Sequence, residues 1–208
     1  MKEHIFGNES ADIVLIQPID ERGLKAMERE ASLIRELSGK DFCLRTPVVS
    51  SWNRDLSPWR APAVFGNEDF GQGAADTLAE VLKICGDRRK TYYIGGYSLA
   101  GLFALWSVYQ TEVFAGAAAA SPSLWFPGFT EYMRENRIRT GSVYISLGDK
   151  EAGTKNPVMA AVADKAKEAY NILKENNTDC TFEWNPGNHF KDTDIRTAKA
   201  FARLLGPE

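Results

Sequence analysis

Tyr92-Tyr93-Ile94-Gly95-Gly96-Tyr97-Ser98-Leu99-Ala100-Gly101 decides how the chain reads. Tyr92 to Ile94 has the aromatic and β-branched character of a buried strand, and Leu99 to Tyr109 reads as a helix. Between them lies Gly-x-Ser-x-small, the pattern of a nucleophile elbow. A turn this tight needs residues with almost no side chain two before and two after the serine. Gly96 and Ala100 meet that demand, and Gly101 lets the helix sit close to the strand. The motif alone recurs by chance, given the ordinary frequency of glycine. In isolation Ser98 could equally be an ordinary helix N-cap on a glycine-rich turn. The strand before it and the helix after it favour the elbow.

Working outward, strands and helices alternate. Before the elbow come a short edge strand at His4–Phe6 and a buried strand at Asp12–Gln17. An amphipathic helix follows from about Arg22 to Ser38, closed by Gly39. Phe42–Val49 is a further strand, and a helix runs from about Gln72 to Cys85. Ser50–Gly73 is a long irregular stretch whose aromatic residues suggest an ordered loop lining a pocket. After the elbow, Phe114–Ala120 and Val143–Leu147 read as strands, with a polar helix at Phe129–Asn136 between them. Asn156-Pro157 opens a helix running to about Asn176. Cys180–Trp184 is the last strand, and Asp192 caps a final helix to Leu205. The expected fold is α/β, a three-layer α/β/α sandwich with a mostly parallel sheet. With no repeat, linker or low-complexity tract, residues 1–208 are expected to form a single domain. Ligands in such sheets bind beyond the C-terminal strand ends. The elbow, the aromatic loop and the turns after Ala120, Leu147 and Trp184 all fall on that edge.

The 208 residues are 44% hydrophobic and 25% charged, with a net charge of -3. An acidic balance with interleaved charges argues against nucleic acid as a partner. Cys43, Cys85 and Cys180 are odd in number with no paired spacing, so reduced thiols are expected. Met1–Phe6 runs into polar residues with no apolar signal core, and no stretch approaches a membrane-spanning length. These features predict a cytoplasmic protein with no membrane partner; a homodimer stays open. His189 has no second histidine nearby and the cysteines are scattered, so no metal is expected. The glycines lack dinucleotide-binding spacing, and no cofactor is expected.

Two histidines are present. His4 lies at the extreme N-terminus. His189 lies between the last strand and the last helix, on the same rim as Ser98, and a group titrating near neutrality suits a general base. An acid should follow a strand between the two. Leu147-Gly148-Asp149-Lys150-Glu151 follows such a strand, and either Asp149 or Glu151 can accept the ring N–H. The Leu99 N–H is one oxyanion donor. The loop after the Asp12–Gln17 strand should give the other, and because Pro18 has no N–H, Ile19 or Asp20 is left. Trp52, Asn53, Trp59, Ser123 and Trp125 are candidate substrate-binding walls, with core or loop-anchoring packing as the other role for the tryptophans.

Gly96-Tyr97-Ser98-Leu99-Ala100-Gly101, Ser50–Trp59, Ser146–Glu151 and Gly187-Asn188-His189-Phe190 together resemble the α/β-hydrolases. Within them the chain is similar to the small esterases of the enterochelin-esterase and esterase D type. The resemblance covers nearly the whole chain. It implies an α/β-hydrolase fold and a triad of serine, acid and histidine, carried here by Ser98 and His189; the 208 residues depart from most relatives in being too few for a large lid. The family's acid stands three residues after a loop glycine, which from Gly148 gives Glu151, with Asp149 as the alternative. Ala100 departs from the family's second elbow glycine. The implied activity is carboxylic-ester hydrolysis of a small-molecule ester through an acyl-enzyme on Ser98, with His189 as base. Acyl transfer, or thioester or peptide cleavage by the same residues, is the alternative within catalysis, and a non-catalytic binding protein of the same fold is the alternative outside it.

Overall fold

The structure is a computed structural model and describes residues 1–206. Among these residues seven strands form one sheet: β1 Glu3–Gly7, β2 Ile13–Ile16, β3 Cys43–Pro47, β4 Thr91–Tyr97, β5 Phe114–Ala120, β6 Ser142–Gly148 and β7 Asp179–Asn185. Their order is β1-β3-β2-β4-β5-β6-β7. Only the edge strand β1 is antiparallel, pairing with β3, and every other neighbour is parallel. The helices are α1 Leu24–Ser38, α2 Trp52–Asp55, α3 Ala74–Ile84, α4 Leu99–Gln110, α5 Phe129–Glu135, α6 Pro157–Ala160, α7 Val162–Glu175 and α8 Thr193–Leu205.

Period-two alternation sends each strand's residues to opposite faces. Leu15, Ala118, Ala120 and Tyr144 pack under α1 and α8, against Ile34, Ala198 and Phe201. Ile16, Ala117, Ala119, Ile145 and Leu147 pack under α3, α4, α5 and α7. This is the expected three-layer sandwich. α4 is apolar on every side, and Leu99 through Tyr109 are all buried, so it forms the core of its layer. The alanines of β5 keep the sheet thin beside it. A side chain on Gly95 would strike Phe201 of α8 on the other face, with its Cβ 2.6 Å from that ring.

Several elements differ from the expected ones. The helix expected from Asn156-Pro157 is broken at Ala161 into α6 and α7, with Asn156 capping the first segment by accepting from the Val158 and Met159 N–H groups. Asp192 precedes α8 in a left-handed conformation and its side chain makes no capping bond. The Ser50–Gly73 stretch is more structured than its composition suggests. It contains α2 and a bridge between Ala61 and Phe70, and Asp55 folds back to accept from the Ser50 and Ser51 N–H groups.

Sequential strands are added on one side of β2 as β3 and then on the other as β4. This reversal opens a crevice beyond the strand C-termini. The ends of β2 and β4, Gln17–Asp20 and Ser98, stand at that crevice. No helix among the described residues is long and apolar enough to cross a membrane.

Candidate active site

β4 runs directly into α4 through Ser98, whose backbone lies at φ 57, ψ -119. Such positive-φ conformations are costly for a residue with a Cβ and concentrate at functional sites. The approach is close enough that a Cβ on Gly96 would lie 2.6 Å from the Ala100 methyl, which accounts for the glycine, while Ala100 is accommodated. The Ser98 carbonyl accepts from Leu102 N–H at 3.0 Å and starts the helix. The Ser98 side chain makes no cap bond. It turns instead toward the sheet edge, which sets aside the N-cap role.

Ser98 Oγ lies 3.0 Å from His189 Nε2, and His189 Nδ1 lies 2.7 Å from Glu151 Oε2. The chain thus brings together one residue from the end of β4, one from the turn after β6 and one from the loop after β7. Glu151 opens a 3-10 turn, Glu151–Gly153, which folds its carboxylate back over the strand end. Its Oε1 accepts from the Gly148 N–H at 2.7 Å and the Ser121 hydroxyl at 2.7 Å. Burial by itself would push the Glu151 carboxyl up. The hydrogen bond and charge of His189, with the donors from Ser121 and Gly148, outweigh it and hold the group below the usual carboxylate range. Asp149 is exposed and takes another part. Its Oδ1 accepts from the Gly187 N–H at 2.7 Å and so ties the turn after β6 to the histidine loop.

The Leu99 N–H stands at the start of α4, where first-turn donors have no intrahelical acceptor. Ile19 does not fill the second donor position expected of it. It forms a parallel bridge with Val48, and its N–H is already spent on the Pro47 carbonyl at 3.1 Å. The neighbouring Asp20 N–H meets no acceptor among the described residues.

The candidate wall residues separate into four groups. Ser123 is buried, with Oγ 3.2 Å from Ser98 Oγ and its N–H donating to the Ser98 carbonyl at 3.1 Å. Trp125 lines a cleft of about 240 Å³ with His189, Phe190, Lys150, Asn188 and Met159. Trp52 and Asn53 border a shallower depression with Asp20 and Phe65, and the Asn53 amide also donates to the Glu68 carbonyl at 3.2 Å. Trp59 does not line the cleft. Its indole N–H donates to the Pro127 carbonyl at 2.9 Å, and its ring packs on Phe126, Phe129 and Tyr132, so it anchors the loop.

Other residues at the site were not singled out from sequence. Arg196 of α8 is 2% exposed, and its Nη1 lies 3.0 Å from Glu151 Oε1. The Tyr97 hydroxyl donates to the His189 carbonyl at 2.6 Å. Phe190 is 85% exposed and stands edge-on to the His189 ring. An arginine on an amphipathic helix ordinarily marks a solvated face, so no sequence signal pointed to Arg196. Phe190, adjoining the histidine, was visible but undistinguished from a buried aromatic.

No family model matches the chain, and no curated protein is similar to it in sequence. Solved structures do share its architecture. The siderophore hydrolase EstA from Aspergillus nidulans superposes with a TM-score of 0.69 at 16% identity, covering 98% of this chain and 88% of that one. The enterobactin esterase FES from Shigella flexneri gives 0.68 at 12% identity over 97% of this chain, which spans about half, 54%, of that esterase. An alpha-beta serine hydrolase homologue from Coxiella burnetii gives 0.61 at 15% identity, covering 98% and 91% of the two chains. At these identities the likeness is one of fold, and the chain has the α/β-hydrolase fold.

Proposed function

We propose that the protein is a serine esterase that hydrolyses small carboxylic esters through an acyl-enzyme. The observation that carries this reading is the continuous relay from Ser98 Oγ to His189 Nε2 at 3.0 Å and from His189 Nδ1 to Glu151 Oε2 at 2.7 Å. Glu151, buried and ionised, holds the ring with its Nδ1 protonated and Nε2 free to accept. His189 takes the Ser98 proton as the oxygen attacks the ester carbonyl. The Leu99 and Asp20 N–H groups receive the developing oxyanion. His189 then gives the proton to the departing alcohol, and water repeats the sequence on the acyl-serine. The cleft walled by Trp125, Met159 and Phe190 opens beside His189 and receives one side of the ester. The names of the similar structures, a siderophore hydrolase and an enterobactin esterase, support ester hydrolysis.

The test is hydrolysis of p-nitrophenyl esters of graded acyl length. Ser98→Ala and His189→Ala are expected to lower kcat by about 10³-fold or more, with far-UV circular dichroism unchanged. Asp149→Ala, acting only through the Gly187 N–H, is expected to retain most of the activity. Equal hydrolysis by the parent and Ser98→Ala would contradict the assignment.

A further inference from the structure

We infer that Arg196 is a positioning residue that extends the activity of the Ser98–His189 pair into mildly acidic solution by setting the charge behind Glu151. The inference rests on the esterase reading above. Arg196 is among the largest fully buried side chains in the molecule, and burying a guanidinium is expensive unless it is paired and hydrogen-bonded. Its Nη1 donates to Glu151 Oε1 at 3.0 Å, to Ser121 Oγ at 3.2 Å and to the Tyr97 hydroxyl at 3.1 Å, while Nη2 donates to the Pro186 carbonyl at 3.2 Å. One side chain therefore joins the turn after β6, the turn after β5, the last residue of β4 and the histidine loop.

Hydrogen bonding alone does not require an arginine there. Glu151 Oε1 already has two neutral donors, the Gly148 N–H and the Ser121 hydroxyl, each at 2.7 Å. What Arg196 adds is a positive charge. With it, Glu151 and Arg196 form a neutral pair, and protonating His189 leaves the buried cluster with a net charge of about +1. Without it, the same proton would complete a neutral ion pair with Glu151 and be held more tightly. Arg196 therefore opposes the further positive charge that a proton on the ring would bring into this buried cluster.

The other ionisable groups around the pair are Tyr97 from β4, Asp149 and Lys150 after β6, and Lys191 and Asp192 after the histidine. Asp149, Lys150, Lys191 and Asp192 are exposed, so solvent screens them. The Tyr97 hydroxyl is engaged with the His189 carbonyl and Arg196. Arg196 is the buried cation in direct contact with the acid.

The experiment follows the rate at which a fluorophosphonate labels Ser98 between pH 4.5 and 9, in the full chain and its variants. The acid limb of the profile is expected to move up by about one pH unit in Arg196→Gln and to stay in place in Arg196→Lys, which keeps the charge. A purely structural role would lower the rate evenly at every pH, and an Arg196→Gln limb coincident with the parent's would overturn the inference. Should Arg196→Gln not fold, Glu151→Gln and Glu151→Gln/Arg196→Gln make the same comparison, since the double variant carries no unpaired buried charge. Its limb is expected above that of the single variant, and coincidence would again overturn the role. A parent protein that never labels would instead overturn the esterase reading itself.

Discussion

At Ser98 the demands of folding and of chemistry pull apart. Its φ of 57 with ψ of -119 is a conformation suited to glycine, held by α4 on one side and β4 on the other. Strain of this kind costs about 1–3 kcal/mol. Ser98→Gly is therefore expected to abolish turnover while stabilising the fold by about 1 kcal/mol, read from urea unfolding. An unchanged or lower midpoint would show that the turn is unstrained. Much at this scale was legible in the sequence, because the elbow's small residues, the histidine after the last strand and the acid turn between them each follow a strand end. Glu151 and Asp149 could not be separated by chemistry alone, since either carboxylate can accept an imidazole N–H. The fold separates them: the 3-10 turn aims Glu151 inward while Asp149 stays in solvent, bonded to the Gly187 N–H. The Ile19 expectation failed because a bridge to Val48 consumes its N–H, and a pairing between β2's exit and β3's exit leaves no trace in local sequence.

Among the elements, the Ser50–Gly73 segment shows how composition can place residues near a site without giving their roles. Phe70 is buried, Trp52 and Trp59 are half-buried and Phe65 is exposed, so its aromatics divide the work. Phe65 meets Trp125 edge-on at 6.0 Å, near the cleft, whereas Trp59 pins the segment to α5 through Phe129 and Tyr132. Trp59→Ala is expected to destabilise the protein by about 2 kcal/mol and to raise amide exchange between residues 56 and 71, as measured by hydrogen–deuterium exchange. Unchanged exchange there would contradict its anchoring role. Strands were the most legible elements, because a parallel sheet buried on both faces leaves continuous apolar runs bounded by turn residues. Helix ends were less so. The break at Ala161 has no glycine or proline to announce it, and it arises where α6 stops one turn after Asn156.

Across the whole molecule, one buried acid couples stability to pH independently of the candidate site. Glu30 of α1 is 2% exposed. Burial is the main cause pushing its carboxyl up to about 8, the Asp194 charge adds to this, and hydrogen bonding with Gln17 partly opposes it. A raised value in the folded state means that stability is fully present below the unfolded value of about 4.5. It is lost as pH rises, because the unfolded chain ionises first, and the loss levels off once pH passes about 8. Glu30→Gln mimics the protonated form, so it should match the parent at pH 4 and exceed it in Tm by a margin that grows toward pH 8. A margin that does not change with pH would contradict the assignment. Fold class and layer order were legible at this scale because they depend on periodicity, summed over many residues. Buried charges such as Glu30 and Arg196 were not, because on an amphipathic helix a charged residue reads as solvent-facing.

The central claim, that Ser98 is a nucleophile activated by His189, is tested most directly by treating the folded protein with a fluorophosphonate and locating the adduct by mass spectrometry. The expected result is a single adduct on Ser98 that disappears in His189→Ala. A folded protein that stays unlabelled, or an adduct on another residue, would contradict it.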